Sequence, residues 1–297
     1  MTLLDQTTLL KKYHIDEATF TDLNMTWEQL TDIYHNYINF KPTLFPTANR
    51  MAEALRKHPD IHTVKARLKD PERLIAKIIR KSTENKDNPN FQITLTNYQT
   101  YITDLIGIRV LHLYKNQAVD IDQYIRSTWT LAEKATIYYR KGDNETFDNE
   151  KRLDKFDIKE HPAGYRSWHY LIESTIPEED FVAEVQVRTI FEEGWSEIDH
   201  QLRYPYDLDN SLLQDQLLVL NRVAGSADEM ANAIRETQLG LDKLINENEA
   251  YKAKIKQLSK KLDKALKDKS LNEDLAKELL EKIDELKPNV TEHFHKK

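Results

Sequence analysis

Between residues 58 and 206 the hydrophobic period switches repeatedly between about two and about 3.6, and this alternation constrains the fold more than any other feature. IHTVKARLK alternates like a strand, PERLIAKIIRKS follows a helical period with Pro71 in its first turn, and IGIRVLHLY is a β-branched run. VDIDQYIRSTW then reads as a helix and ATIYYR as a strand. WHYLIES and FVAEVQVRT are two further strands, joined by a turn through Pro177 and an acidic cluster, and TIFEEGWSEIDHQLR is a helix. The polar run KGDNETFDNEKRLDKFDIKE, before HPAGYRSWHY, reads as a loop. Strands interleaved with helices predict a mixed α+β module.

Both flanks are helical. LNMTWEQLTDIYHNYINF spaces Trp27, Leu30, Ile33, Tyr34, Tyr37 and Ile38 at helical period, with Thr26 as N-cap and Gln29 completing a capping box. From about residue 210 the pattern stays helical: Ile234, Gln238, Leu241, Ile245 and Asn248 are followed, after a slip, by Tyr251, Ile255, Leu258, Leu262 and Ala265. That resembles a heptad seam with a stutter. Ser270-Leu-Asn-Glu273 reads as a capping box opening a last helix that ends before Pro288. An antiparallel helical pair and an oligomerisation or partner-binding arm both satisfy this pattern. The expected organisation is a helical extension over 1–57, an α+β domain over 58–206 and a helical, partly coiled-coil-like region over 207–297.

Several function classes fall away on composition and motif. The chain has no cysteine, which removes disulfides and thiolate metal sites and fits a reducing compartment. No apolar run reaches the roughly 20 residues that span a bilayer, and MTLLDQTTLLKKYHID lacks the basic start and apolar core of a secretion signal. No membrane association and a cytoplasmic location are therefore expected. A formal charge of −7 gives no bulk attraction to nucleic acid, although a local basic pocket is compatible with it. Neither GxxxxGK[ST] nor GxGxxG occurs, and Asp199-His200 is a lone pair on a helix rather than a metal motif.

Four segments gather polar groups. In KARLKDPER, Lys65, Arg67 and Lys69 alternate and so share one strand face; a charged edge strand has the same pattern. In TDLIGIRV, Asp104 stands just before an apolar strand and Arg109 emerges within it, where a buried guanidinium needs a salt bridge or a ligand. In HPAGYRSWHY, Pro162 and Gly164 shape a loop, Tyr165 offers a flat face and His169 follows four residues on; a buried loop aromatic is the plainer alternative. In AEVQVRT, Glu184, Gln186 and Arg188 share one face while Val185 and Val187 take the other, which simple amphipathic alternation also explains. Asp104 and Glu184 are carboxylates of the kind that hold Mg²⁺ in nucleotide chemistry.

KARLKDPERLIAKI, DLIGIRV, GYRSWHY and EVQVRTIFEEGWSEIDHQLRY, in this order, resemble the synthetase domain of the RelA/SpoT family over about residues 60–206. The length is similar to that of the small alarmone synthetases, and no region resembles the family's hydrolase domain. The resemblance implies a nucleotidyltransferase-like mixed sheet and a GTP pyrophosphokinase reaction, in which pyrophosphate passes from ATP to the 3′-hydroxyl of GDP or GTP to give ppGpp or pppGpp. It assigns Arg67 and Arg109 to the adenine and Lys69 to the ATP phosphates. Asp104 and Glu184 would hold Mg²⁺, with Glu184 also taking the proton of the attacking hydroxyl. Tyr165 would stack on the acceptor base, His169 and Gln186 would line its pocket, and Arg188 and Trp195 would be mainly structural. Trp168 replaces the family's usual aliphatic residue, and the preceding loop is partly acidic where the family's is often more basic. Some toxic relatives use the tRNA 3′ end or adenine nucleotides as acceptor, so a toxin with an antitoxin partner, or an inactive nucleotide-binding regulator, are the alternatives. Relatives are often homo-oligomers held by terminal helices.

Overall fold

The computed structural model describes residues 4–142, 154–176, 179–203, 210–267 and 273–286. The turn expected at Pro177, most of the polar loop before residue 154, and Ser270 of the expected capping box lie outside these residues.

Three helices open the chain: α1 (Gln6–Lys12), α2 (Glu17–Thr21) and α3 (Trp27–Arg56). α3 starts at the expected capping box, with the Thr26 hydroxyl accepting from the Gln29 N–H and the Gln29 side chain accepting from the Thr26 N–H. It carries Pro42 and Pro46 internally and buries Leu30, Ile33, Tyr37, Leu44 and Leu55. Then follow β1 (Thr63–Leu68), α4 (Pro71–Glu84), the single turn α5 (Tyr98–Tyr101), β2 (Ile106–His112), α6 (Gln117–Thr128) and β3 (Ala135–Tyr139). The module is completed by β4 (Phe156–Glu160), β5 (Ser167–Ile176), β6 (Glu179–Thr189) and α7 (Ile190–Arg203). α4 is capped by Asp70, whose carboxylate accepts from the Glu72 and Arg73 N–H groups, with Pro71 at N1 where no donor is needed.

The strands form one six-stranded mixed sheet in the order β1-β2-β6-β5-β3-β4. β2 pairs antiparallel with β1 and parallel with β6, so it sits inside the sheet, and its Ile106, Ile108 and Val110 are buried. With Val64, Tyr170, Ile172, Val185 and Val187 they make an apolar face. α3 packs on it at the β1–β2 end. α6 joins that layer through the Tyr170 hydroxyl, which donates to Asp122 at 3.0 Å, and the Tyr124 hydroxyl, which donates to the Ala54 carbonyl at 2.7 Å. Period-two alternation sends the polar residues of the same strands to the other face, where α7 lies.

β4 corrects the sequence reading, which took this stretch as loop. It is an edge strand parallel to β3, and in FDIKE only Phe156 is fully buried. A half-polar edge strand has little hydrophobic signal to offer. Trp168 lies on the apolar side of β5, edge-on to Phe156 at 5.1 Å, and so on the face opposite His169.

Helices α8 (Ser211–Lys267) and α9 (Glu273–Leu286) end the described chain. The chain forms two compact units, Met1–Asn232 and Ala233–Lys297. In the second, Ile234, Leu241 and Ile245 of the expected seam are exposed, and Ile283 of α9 is buried. No helix among the described residues is long and apolar enough to cross a membrane.

Candidate active site

Strand register aligns the polar face in two rows. Lys65, Arg109, Gln186, His169 and Thr136 are cross-strand partners in one, and Arg67, Gly107, Glu184 and Leu171 in the next. Five of the residues singled out in the sequence, Arg67, Arg109, Glu184, Gln186 and His169, therefore share one patch of sheet although they span more than a hundred positions.

Lys69 and Asp104 meet beside this patch. The Lys69 N–H donates to the Leu105 carbonyl at 2.9 Å, extending the β1–β2 ladder by one step, and its ammonium reaches Asp104 Oδ2 at 2.5 Å. Lys77, from α4, binds the other carboxylate oxygen at 2.9 Å. Burial alone would push the Asp104 carboxyl up, but the Lys69 and then the Lys77 ammonium outweigh it and hold it below the ordinary value. Burial lowers Lys69 in turn, offset in part by Asp104.

Glu184 accepts from the Gln186 amide at 2.8 Å, and its other oxygen lies 3.5 Å from His169 Nδ1. Burial raises its pKa and His169 more than compensates, leaving the carboxyl below its ordinary value; the charge of Asp104 is near enough to act in the raising direction. The far side of the His169 ring, Nε2, is 3.0 Å from the Tyr165 hydroxyl, so one chain of contacts runs from Glu184 through His169 to Tyr165. The Tyr165 ring also neighbours His161 and Tyr138 at 5.3 and 6.0 Å, and burial pushes its hydroxyl pKa up. One ring face is taken by Arg188, whose guanidinium carbon is 5.3 Å from the centroid.

Both arginines assigned to the adenine lie on the patch, in different surroundings. Arg67 lines an open cleft, and its pKa is lowered by burial and then by the nearby Arg109. The Arg109 guanidinium binds two carboxylates of α7, Glu193 at 2.9 Å and Glu197. Arg188 is 2% exposed, bonds Gln186 and Ser196 (2.8 Å) and forms an ion pair with Glu193 (3.2 Å), so it ties the polar face of β6 to α7. Trp195 is buried, donating its indole N–H to the Leu217 carbonyl at 3.0 Å.

The cleft has a volume of about 930 Å³. One wall is basic: Arg67, Lys69, Arg73, Lys77 and Arg80 all line it. The other comes from the α1–α2 connection, including Tyr13 and His14, the latter in the left-handed region at φ 51°. Lys12 ties this wall to α4 through Glu72 at 2.5 Å. Sequence reasoning passed over Arg73, Lys77 and Arg80, though their i, i+4, i+7 spacing marks a basic stripe on α4 opposite Leu74, Ile75, Ile78 and Ile79.

Residues 66–209 match the family model described as the region found in RelA / SpoT proteins. The chain is 23% identical over 225 residues to the GTP pyrophosphokinase YwaC of Bacillus subtilis (strain 168), a match that covers 74% of this chain and 92% of that protein. It is similar to the structure of a GTP pyrophosphokinase family protein from Streptococcus pneumoniae, at 22% identity, 72% of this chain, 95% of that one and a TM-score of 0.44. It is also similar to small alarmone synthetase 1 from Bacillus subtilis bound to its product pppGpp, at 20% identity, 71% of this chain, 97% of that one and a TM-score of 0.44. The RelA/SpoT family model thus spans residues 66–209, the part of the chain that carries the mixed sheet and its polar face.

Proposed function

We propose that the protein transfers pyrophosphate from ATP to the 3′-hydroxyl of GDP or GTP, releasing AMP and forming ppGpp or pppGpp. The observation that carries this reading is the registered polar face, Arg67, Arg109, Glu184, Gln186 and His169, beside a basic cleft lined by Lys69, Lys77 and Asp104. The family-model match over residues 66–209 and the similarity to a protein named GTP pyrophosphokinase support it.

In this reading the ATP phosphates lie against Lys69, Lys77, Arg73 and Arg80, a local concentration of positive charge on an otherwise acidic chain. Arg67 stacks its planar guanidinium on the adenine without giving up its charge. Arg109 is the second plate, oriented by Glu193 and Glu197. The acceptor base stacks on Tyr165 away from Arg188, with Gln186 and His169 beneath. The 3′-oxygen then attacks the β-phosphorus. Its bond to phosphorus forms as the bond to the α,β-bridging oxygen breaks, and AMP leaves with that oxygen. The hydroxyl proton passes to Glu184, which is ionised at neutral pH because its pKa is held down.

Mg²⁺ belongs to the proposal. Asp104 and Glu184 are both kept as carboxylates and lie within electrostatic range of each other, which suits an ion that takes one or two carboxylates together with substrate phosphates. These two residues would hold it, and it would neutralise charge on the transferring group. We extend the proposal to a cytoplasmic location and to self-association along α8, where Val219, Val223, Met230, Ile234, Leu241 and Ile245 recur at spacings of four and seven and are all exposed.

The test is incubation with Mg²⁺ and ATP labelled at the γ-phosphate, against GDP, GTP, ATP or deacylated tRNA. Label on GDP or GTP is expected; label only on tRNA or an adenine nucleotide, or no transfer, sinks the reading. Glu184→Gln should lower transfer by about 10²–10⁴-fold with an unchanged circular dichroism spectrum, and Tyr165→Ala should chiefly raise the acceptor KM.

A further inference from the structure

We infer that Asn221, on the long helix α8, is a positioning residue for the acceptor site: it holds the backbone on either side of Tyr165. Asn221 is fully buried, unusual for a side chain that carries both a donor and an acceptor amide group. Its amide N–H donates to the Gly164 carbonyl at 2.9 Å, and its side-chain oxygen accepts from Arg140 at 3.5 Å. Its own backbone carbonyl accepts from Arg166 at 3.3 Å. Both chain neighbours of Tyr165 are thus fastened to one residue that lies more than fifty positions away.

The surroundings are built to the same end. Gly164 has φ +75°, a region a side chain disfavours, and a Cβ there would stand 3.2 Å from the Asn221 amide and 3.1 Å from Arg140. One helical turn beyond Asn221, a Cβ on Gly225 would stand 2.6 Å from an Arg166 terminal nitrogen, so the bare backbone of α8 makes room for that guanidinium. The other side of Arg166 faces Glu192 of α7 at 3.5 Å. With Gly164 and Arg166 fixed, the Tyr165 side chain is left to meet His169 and Arg188 on the polar face of the sheet. Glycine is a poorer helix former than alanine, so α8 gives up helix propensity at Gly225 to make room for Arg166.

The inference rests on the reading that Tyr165 holds the acceptor base, and the experiment separates the two. Asn221→Asp keeps the volume and turns the donor to Gly164 into an acceptor; Asn221→Ala removes both bonds. Amide hydrogen exchange over 161–168 needs no substrate, and steady-state transfer gives the KM values of ATP and of GDP. Both variants should exchange faster over 161–168 and raise the acceptor KM about tenfold or more, with the ATP KM within about twofold. A merely structural residue would instead lower kcat through a smaller folded fraction and leave both KM values unchanged. Unchanged exchange, or faster exchange with an unchanged acceptor KM, overturns the inference. A wild-type protein that transfers to neither GDP nor GTP sinks the proposed function on that control alone, while the exchange comparison still decides whether Asn221 holds the loop.

Discussion

Gly107 places Arg67 by having no side chain. It lies between Arg67 and Glu184 in their cross-strand row, and a Cβ there would sit 3.2 Å from Arg67 Nε and 3.4 Å from its Cγ. The arginine borders an open cleft and has room to yield, so Gly107→Ala should cost under about 1 kcal/mol in urea unfolding yet move the guanidinium and raise the ATP KM several-fold. An unchanged ATP KM in the bulkier Gly107→Val would show that the position of Arg67 does not matter to the donor. Asp228 gives a second prediction at this scale. It is wholly buried on α8, and desolvation, then the charge of Glu192, raise its pKa from 3.8 to about 7, while Thr189 and the cations of Lys115 and Arg166 pull the other way. Between those two values the native protein holds a proton the unfolded chain has lost, so this residue's contribution to stability falls as pH rises through the window. Asp228→Asn removes that loss, of order 2–4 kcal/mol at about 1.36 kcal/mol per unit. The Tm gain of the variant over wild type should therefore be about 4–8 °C or more larger at pH 8 than at pH 5. Equal gains at both pH values would contradict the raised pKa.

At the scale of elements, β6 runs into α7 with no loop between them. The Thr189 hydroxyl accepts from the Glu192 N–H at 3.1 Å, and the Glu192 carboxylate accepts from the Thr189 N–H at 2.8 Å, a capping box at the strand–helix junction. That junction aims Glu193, Ser196 and Glu197 at Arg109 and Arg188. Thr189→Ala should destabilise the protein by about 1–2 kcal/mol, seen as a lower urea midpoint at unchanged slope. A midpoint within error of wild type would mean that the helix start is held by other contacts. TIFE displays this box in the sequence, as Thr26 and Gln29 display the one at α3, because a cap is a local rule between residues three apart. The polar face was legible for a similar reason: alternation along each strand fixes which residues share a side. What alternation cannot supply is register, and register is what sets Arg67 opposite Gly107 and His169 opposite Gln186. Neither β4 nor the face of α8 was legible. FDIKE has one buried apolar residue, and Asn221, Gly225 and Asp228 resemble a solvent face until Arg166 and Gly164 arrive from elsewhere in the chain.

For the whole molecule, the division at Asn232 runs through the continuous helix α8, and every group used in the proposed reaction lies in the unit Met1–Asn232. So do Leu217, Asn221 and Gly225, through which α8 meets Trp195, Gly164 and Arg166. A chain ending after Gly240 keeps two turns of helix past Asn232, enough that fraying of the last, unpaired carbonyls stays clear of Asp228. It should fold, and its ATP and acceptor KM values should lie within about threefold of the full chain. A chain ending at Asn210 strips the cover from Trp195 and leaves Gly164 and Arg166 without their α8 partners, exposing buried polar groups and apolar surface together. It should lose cooperative thermal unfolding or, where it stays folded, lose acceptor binding before ATP binding. Equal transfer by the two shortened chains would show that α8 is dispensable to the site, while loss of ATP binding in the longer one would mean that residues beyond Gly240 reach the donor cleft.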